Sequence, residues 1–469
     1  MSNHVITAHS SDDRAAAAAR DLLDWLFHNL KQRNFAIRLW NGEALPAGAG
    51  RAAFTLVLNH PGALRAMFRP PIELSLGEAF IYGDFDIEGD IHAAVNVMSN
   101  LDQTLFSTRS ELFALMRRWA ALPRGPKTRR RGRGPARLSG QAHSRERDQA
   151  AIRYHYDVGN DFYALWLDSR MQYSCAYFIT GEENLETAQR QKLEHICRKL
   201  RLRPGERLLD IGCGWGGLVR YAAENYGVRA LGVTLSEKQV DFANYQIARA
   251  GLGNQVVVKL MDYRDGGLGE FDKIVSVGMF EHVGRRNLPT YFAQAYRLLK
   301  PGGLFLNHGI SRRAPQEYVA APETMPCCLP QEPAGRVSLK QKFVNRYILG
   351  KGTFVNRYVF PDGELVPVSE AGLVAEKAGF ELRDVENLRE HYALTLRHWV
   401  RRLEEREDKA TAVTDKVTYR TWRLYMASVT QGFESGSINV NQMLLARPEN
   451  GRSRLPLTRA ELYINSWTV

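Results

Sequence analysis

The residues with the most chemical content lie at 207–217, which read RLLDIGCGWGG. Asp210 sits inside a short apolar run of Leu208, Leu209 and Ile211, and Gly212, Gly214, Gly216 and Gly217 follow at once. Strand, glycine turn and helix bring a backbone close to a ligand beside a helix N-terminus. The acid at the strand end is placed to orient the turn and to face a cationic amino-acid group. The spacing Gly212-x-Gly214-x-Gly216 is not the G-x-G-x-x-G of dinucleotide folds. Read alone, it also suits an ordinary glycine-rich strand-to-helix turn. Glu281 and His282 stand in VGMFEHVG, His308 in LNHGI and Cys175 in MQYSCAYF. A carboxylate just after a parallel strand points at the reactive end of a bound ligand. Each of these residues has a plainer reading: a surface Glu in a loop, a satisfied core histidine, a buried apolar cysteine.

Alternating strands and helices are needed to position such residues, and the pattern predicts them. An amphipathic helix over 187–200 leads into the glycine-rich strand. Strands follow at 229–233, 256–260, 272–277 and 304–310. Helices fall at 236–250, with Ser236 as N-cap and Gly251 as stop, and at 288–299, ended by Lys300-Pro301-Gly302-Gly303. The alternation then halts, and it resumes with a helix at 369–379, a strand at 380–388, helices at 392–404 and 416–431, and a last strand at 442–445. This order implies an α/β fold whose parallel sheet carries its ligand site at the carboxyl ends of the strands.

Ahead of it, a helix is expected from Ser11 or Asp12 to Gln32, with Leu22, Leu23, Trp25, Leu26 and Leu30 on its apolar side. A strand is expected at 54–58 and a closing helix at 111–119. Residues 1–118 thus form a small α+β domain. Residues 117–145 carry ten Lys or Arg and no acid, broken by Pro123, Pro126, Pro135 and four glycines. The linker 119–149 is a solvated spacer or a polybasic clamp on anionic headgroups or another polyanion, at about 1 kcal/mol per basic residue near such a surface. Residues 150–469 form the second domain, with an insertion at 311–364 that holds Cys327-Cys328 and scattered aromatic and basic residues.

The net charge of +12 favours an anionic partner, nucleic acid or an anionic lipid surface. Five cysteines without paired spacing argue against a disulfide framework and a zinc site, so no metal is expected, and they fit a reducing cytoplasm. No run of about 18 apolar residues exists to span a membrane. The N-terminal stretch lacks the basic-then-apolar order of a signal peptide.

An acid just before Gly-x-Gly-x-Gly resembles motif I of S-adenosylmethionine (SAM) methyltransferases. More widely, YHYDVGNDFYALWLD, MQYSCAYF, LDIGCGWGG, GVTLSEKQ, MFEHVG and HYALTLRHW are similar, in this order, to the signature stretches of cyclopropane-fatty-acyl-phospholipid synthases. The resemblance covers 151–447, and SLGEAFIYGDFDIEGD extends it into the N-terminal domain. It implies a class I SAM methyltransferase sheet, Rossmann-like, with a helical and insertion cap. It also implies placement of a methylene from SAM across a cis double bond of a phospholipid acyl chain. Tyr173, Ser174, Asp210, Gly212, Gly214, Gly216, Thr234, Leu235, Ser236, Gln239, Asp262 and Tyr263 would face SAM. Where many cofactor sheets have an acid for ribose hydroxyls this chain has Thr234, so Gln239 or backbone groups take that role. Asp262 and Tyr263 end the third strand, where adenine would lie.

Cys175, Glu281, His308, Ile310 and Tyr392 match the family's catalytic positions that hold a bicarbonate ion. Methyl transfer to an alkene leaves a carbocation, and a base must take a proton from the new methyl so that the ring can close. Glu281 would accept the hydrogen bond of bicarbonate and orient it, while His308, Tyr392 and backbone donors complete the shell. Tyr173, Tyr177 and Phe280 are expected to face the cation. The family further implies an unsaturated phospholipid of the bilayer as substrate and a homodimer in the cytoplasm, peripheral to the inner face of the cell membrane. Scattered aromatic and basic residues point to the insertion and the N-terminal domain as the source of the acyl groove and the membrane-facing surface. One departure stands out: Val429 holds a position where many members carry a cysteine. A side branch making methyl- or methylene-branched chains from the same cation therefore stays open. A nucleic-acid methyltransferase is disfavoured, because MFEH replaces the Asn/Asp-Pro-Pro-Tyr/Phe motif after the fourth strand.

Overall fold

The computed structural model describes residues 3–28, 30, 33–48, 50–104, 109–126, 130–314 and 353–463. In chain order the first elements are α1 (Asn3–Phe27), β1 (Phe35–Arg38), β2 (Ala44–Leu45), β3 (Phe54–Leu58), α2 (Ala63–Met67), α3 (Ile72–Ile81), β4 (Phe85–Gly89), α4 (Ile91–Thr104) and α5 (Arg109–Ala121). Next come α6 (Arg145–Tyr156), α7 (Asn160–Ala164), α8 (Leu185–Leu200), β5 (Arg207–Ile211), α9 (Gly217–Tyr226), β6 (Arg229–Thr234), α10 (Glu237–Arg249), β7 (Val256–Leu260) and β8 (Phe271–Val277). The chain closes with α11 (Leu288–Leu298), β9 (Leu299–Arg312), α12 (Thr353–Tyr358), α13 (Val368–Lys377), β10 (Glu381–Asn387), α14 (Arg389–Glu404), α15 (Glu407–Val413), α16 (Lys416–Glu434) and β11 (Ile438–Ala446).

The chain divides into two compact units: Met1–Pro135 with Pro315–Val359 and Asp415–Gln431, and Ala136–Ala314 with Phe360–Thr414 and Gly432–Val469. The first holds a four-stranded sheet in the order β2-β1-β3-β4. Its core is apolar, from Leu22, Leu23 and Leu26 of α1 to Phe35, Ile37 and Phe80. Buried charges sit beside that core, and Glu78 and Arg420 among them are held by sequence-distant groups. Glu78 accepts from Arg130 Nη1 at 2.6 Å and from the Tyr358 hydroxyl at 2.9 Å. Arg420 of α16 donates to the Phe80 carbonyl at 2.7 Å and pairs with Asp86.

These contacts explain why the units do not follow the expected boundaries at 118/119 and 149/150. Part of the basic stretch is built into the first unit. Arg130 is committed to Glu78 and lies over the Tyr82 ring, and Gly132 lies against Val417. α1 also departs from expectation. It ends at Phe27, and Asp12 accepts from Trp40 Nε1 at 2.8 Å, a lateral tie that does no capping.

The second unit holds a seven-stranded sheet, β10-β11-β9-β8-β5-β6-β7. β9, β8, β5, β6 and β7 pair in parallel, and β11 runs antiparallel to both β9 and β10. This is the Rossmann-like sheet that the class I methyltransferase resemblance implies. Short apolar runs, Leu208-Leu209 in β5, Ile274-Val275 in β8 and Leu304-Phe305-Leu306 in β9, make its central strands, because both faces are covered. Leu304 and Leu306 of β9 join one apolar layer, with Leu193, Ile196 and Leu200 of α8. Phe305 joins the other, with Leu288, Tyr291 and Phe292 of α11. Strand alternation then puts His308 and Ile310 on the α8 side of β9 and Gly309 on the α11 side. β9 is longer than the expected 304–310. Its register with β8 shifts after Phe271↔Leu299, so the Pro-Gly-Gly residues bulge inside the strand. The Cys327-Cys328 pair and most of the expected insertion lie outside the described residues.

Candidate functional site

A cleft opens at the carboxyl ends of β5, β6 and β8. Asp210, Gly212 and Gly214 line it from the end of β5 and its turn, Thr234, Leu235 and Gln239 from the end of β6 onward, and Asp262 and Tyr263 from beyond β7. Tyr173 and Ser174 form another wall. Two further expected residues lie elsewhere. Gly216, at φ +75°, starts α9, and a Cβ there would lie 3.0 Å from Ala243. Ser236 precedes α10, but its side chain makes no cap, and its buried Oγ has no partner among the described residues.

The turn works because its glycines adopt conformations that other residues avoid. Gly212 has φ +83°, and a Cβ on it would lie 2.7 Å from Met279. The Gly212 and Cys213 N–H groups both donate to the Val233 carbonyl, at 2.9 and 3.0 Å, which ties the turn to β6. Asp210 is buried, and its Oδ1 has no partner among the described residues. Burial pushes its carboxyl up to about 7, against the pull of nearby Lys192. Beyond β6, the Thr234 hydroxyl donates to Gln239 Oε1 at 2.7 Å. That bond leaves the amide N–H groups of the buried Gln239 as donors. Asp262 is gripped by Arg264 at 2.6 Å, and Arg264 also pairs with Asp148 at 3.2 Å.

Backbone bonds link the five expected catalytic positions to the region where β8 ends and β9 continues. The Gly278 N–H donates to the His308 carbonyl at 2.9 Å, the last rung between the two strands. The chain turns at Gly278, and the Ile310 N–H is taken by Glu281 Oε1 at 2.6 Å. Ile310 lies opposite Val440 of β11. The Val440 carbonyl accepts from the Leu388 N–H at 2.8 Å, and the Leu388 carbonyl accepts from the Tyr392 N–H at 3.0 Å. The Cys175 thiol reaches the same Leu388 carbonyl at 3.6 Å.

Burial dominates this region. It pushes Glu281 up to about 7, against the Ile310 N–H. It holds His308 down at about 3, helped by Lys192 and Lys199, so the imidazole stays neutral. It pushes the Cys175 thiol up, so the cysteine is no thiolate nucleophile. Glu281 Oε2 and His308 Nε2 are buried without partners among the described residues. A buried acid and a neutral imidazole with open valences can hold a small polar ion and manage a proton.

Two aromatic expectations fail. Phe280 packs in the α11 layer and lies where a Cβ on Gly309 would reach it at 2.9 Å, across the sheet from His308. Tyr177 stacks between His195 and His391, at 4.3 and 4.7 Å. Tyr173 does line the cleft, among Tyr156, Tyr163, Trp166 and Trp399. Sequence reasoning missed Asp148, Gln172, Trp215 and Met279 as lining residues. Trp215 was detectable as the one large residue within the glycine turn.

Known proteins match this chain along most of its length. The family described as mycolic acid cyclopropane synthetase matches residues 143–443, and a domain of unknown function matches 22–110. A probable fatty acid methyltransferase of Pseudomonas putida is 39% identical over 91% of this chain and 95% of its own length. The cyclopropane-fatty-acyl-phospholipid synthase of Escherichia coli K12 is 37% identical over 66% of this chain and 71% of its own. The structure of the cyclopropane synthase MmaA2 from Mycobacterium tuberculosis superposes with a TM-score of 0.55 at 30% identity, over 63% of this chain and 97% of that one. The mycolic acid cyclopropane synthase CmaA1, complexed with SAH and CTAB, gives 0.54 at 30% identity, over 63% and 97%. With a sheet of this topology and a family match over more than half its residues, the chain belongs to the mycolic acid cyclopropane synthetase family.

Proposed function

We propose that this protein transfers a methylene group from S-adenosylmethionine to the cis double bond of an unsaturated phospholipid acyl chain, forming a cyclopropane. One observation carries the reading: the buried Glu281 carboxyl, latched by Ile310, keeps one oxygen unpartnered at the edge that also holds His308.

The cleft fits SAM. The orphaned Asp210 Oδ1 suits the ammonium of the methionine moiety, and the Gln239 amide N–H groups suit ribose hydroxyls. The side-chain-free wall at Gly212 admits a close ligand. When bound, SAM supplies the methyl group as an electrophile. Tyr173 and its ring neighbours then present aromatic faces to a cation and keep water out.

The unpartnered Glu281 Oε2 and His308 Nε2 are the groups that would hold bicarbonate, and the family resemblance adds Cys175, Ile310 and Tyr392 to that shell. The ion would supply the base that takes the methyl proton. The Ile310 N–H is already given to Glu281, so its part is to fix that carboxyl. The name of the Escherichia coli relative, a cyclopropane-fatty-acyl-phospholipid synthase, supports a phospholipid substrate. Association with the inner membrane face and a homodimer remain part of the proposal, and no described helix is long and apolar enough to cross a membrane.

A second reading is methylation or methylenation of the same alkene. The Pseudomonas putida relative, named a probable fatty acid methyltransferase, favours it, and so does the half-buried Val429. Mass spectrometry of cis-unsaturated phospholipid vesicles incubated with protein and SAM tests the reading. A gain of one CH₂ with loss of the alkene, in a product that takes up no hydrogen on hydrogenation, supports a cyclopropane. The same gain with a retained or shifted alkene supports the second reading. No SAM-dependent change refutes both.

A further inference from the structure

Lys192 is a charged residue in the apolar stripe of α8, between Ala188, Leu193 and Ile196, and its side chain is fully buried. Buried lysines are uncommon, and they need partners. Its ammonium donates to Gln172 Oε1 at 2.5 Å and to Ser174 Oγ at 3.0 Å. Both of those residues line the cleft. Three positions earlier on α8, Gln189 Nε2 donates to the Ser174 carbonyl at 2.9 Å and to the Gln172 carbonyl at 3.3 Å. α8 therefore grips this wall of the cleft by its backbone and by its side chains.

The direction of these bonds has a consequence. An ammonium only donates. A Ser174 oxygen that accepts from Lys192 must send its own hydrogen elsewhere, and no acceptor for it is present among the described residues. Likewise, Gln172 must keep its oxygen toward Lys192, which turns its amide nitrogen to the Arg170 carbonyl at 3.5 Å and toward Gly217. We propose that Lys192 is a positioning residue that turns the Ser174 O–H into the cleft as a donor, and so selects a ligand carrying a carboxylate there. The inference rests on the SAM reading and assigns this wall to the carboxylate of the methionine moiety, as Asp210 suits its ammonium. Burial lowers Lys192 to about 8, against the pull of Asp168, so it stays largely charged at neutral pH.

The test is calorimetric binding of SAM and of decarboxylated SAM to the full-length protein, in wild type, Lys192→Met, Ser174→Ala and the double variant. Lys192→Met should weaken SAM by ~10–100-fold, the range for a lost hydrogen bond to a charged group. Decarboxylated SAM should weaken less, because it loses only the pull of Lys192 on Asp210. Ser174→Ala should show the same selectivity, and the double variant should be no worse than the stronger single, because both act through one bond. Equal weakening of both ligands in Lys192→Met would mean a structural role and overturn the inference, as would unchanged SAM affinity or additive effects. If Lys192→Met does not fold, Ser174→Ala decides alone: discrimination as in wild type overturns the inference. Wild type that binds neither ligand overturns the SAM reading and this inference with it. Wild type that binds SAM while the variants discriminate normally overturns this inference only.

Discussion

Glu281 Oε1 accepts the Ile310 N–H at 2.6 Å, one step past the last rung between β8 and β9. A strand that outruns its neighbour leaves a backbone donor unpaired, and here a side chain takes the place of the missing strand. The same bond holds a buried carboxyl still and leaves its second oxygen without a partner among the described residues. Glu281→Gln preserves shape while removing the charge and the titration. We expect product formation to fall by ~10²–10⁴-fold, the usual worth of a proton-handling group, while SAM binding by calorimetry stays within about threefold. A variant that keeps wild-type turnover would remove Glu281 from the chemistry.

Asp210 gives a pH signature. Its carboxyl is pushed up to about 7 by burial, so the carboxylate that suits an ammonium forms only as pH rises through about 7. SAM affinity should therefore increase with pH across that point. Asp210→Asn should weaken SAM by ~10–100-fold and flatten the profile. Without ligand, the stability effect runs the other way. The folded state keeps protons at Asp210 and Glu281 that an unfolded chain releases at 3.8 and 4.5, so stability from these groups is full below those values and is lost as pH rises to about 7. Denaturant melts of the protein and of Asp210→Asn between pH 4 and 8 check the sign.

Gly212 tests the turn. An alanine there meets Met279 and must hold φ +83°, which costs about 1–2 kcal/mol before any clash. Gly212→Ala should bind SAM at least ~10-fold more weakly, with circular dichroism unchanged. Retained affinity would mean that the turn does not approach the ligand.

Arg420 tests the first unit. Its guanidinium is buried against Phe80 and paired with Asp86, whose side chain is 33% exposed. Arg420→Met should cost about 2–3 kcal/mol, less than a fully buried broken pair because water reaches Asp86. Differential scanning calorimetry of the whole chain should show a lower transition. Asp86→Asn should lower it less.

The sheet was legible because its signals are local. β5, β6, β7 and β8 fall within about a residue of their expected ends, each an apolar run bounded by turn residues. The glycine turn and Glu281 were legible as motifs. What the sequence hid depends on distant partners. Nothing near Glu78 announces Arg130 and Tyr358, and nothing near Phe80 announces Arg420. Phe280 reads as a site aromatic from its place beside Glu281, yet its backbone turn sends it to the α11 layer. Ser236 has the right type for a cap, but its hydroxyl does not reach the helix. Lys192 is a cation inside the apolar stripe of α8, but the groups it serves, Gln172 and Ser174, lie about twenty residues away.

The most direct measurement is the isotope content of lipid made from SAM with a fully deuterated methyl group. Deprotonation of the new methyl, as the Glu281 site is built to support, predicts a saturated, hydrogenation-resistant product that retains two of the three deuterons. A product that retains all three would mean that the proton leaves from the acyl chain and would contradict cyclopropanation, as would unlabelled lipid.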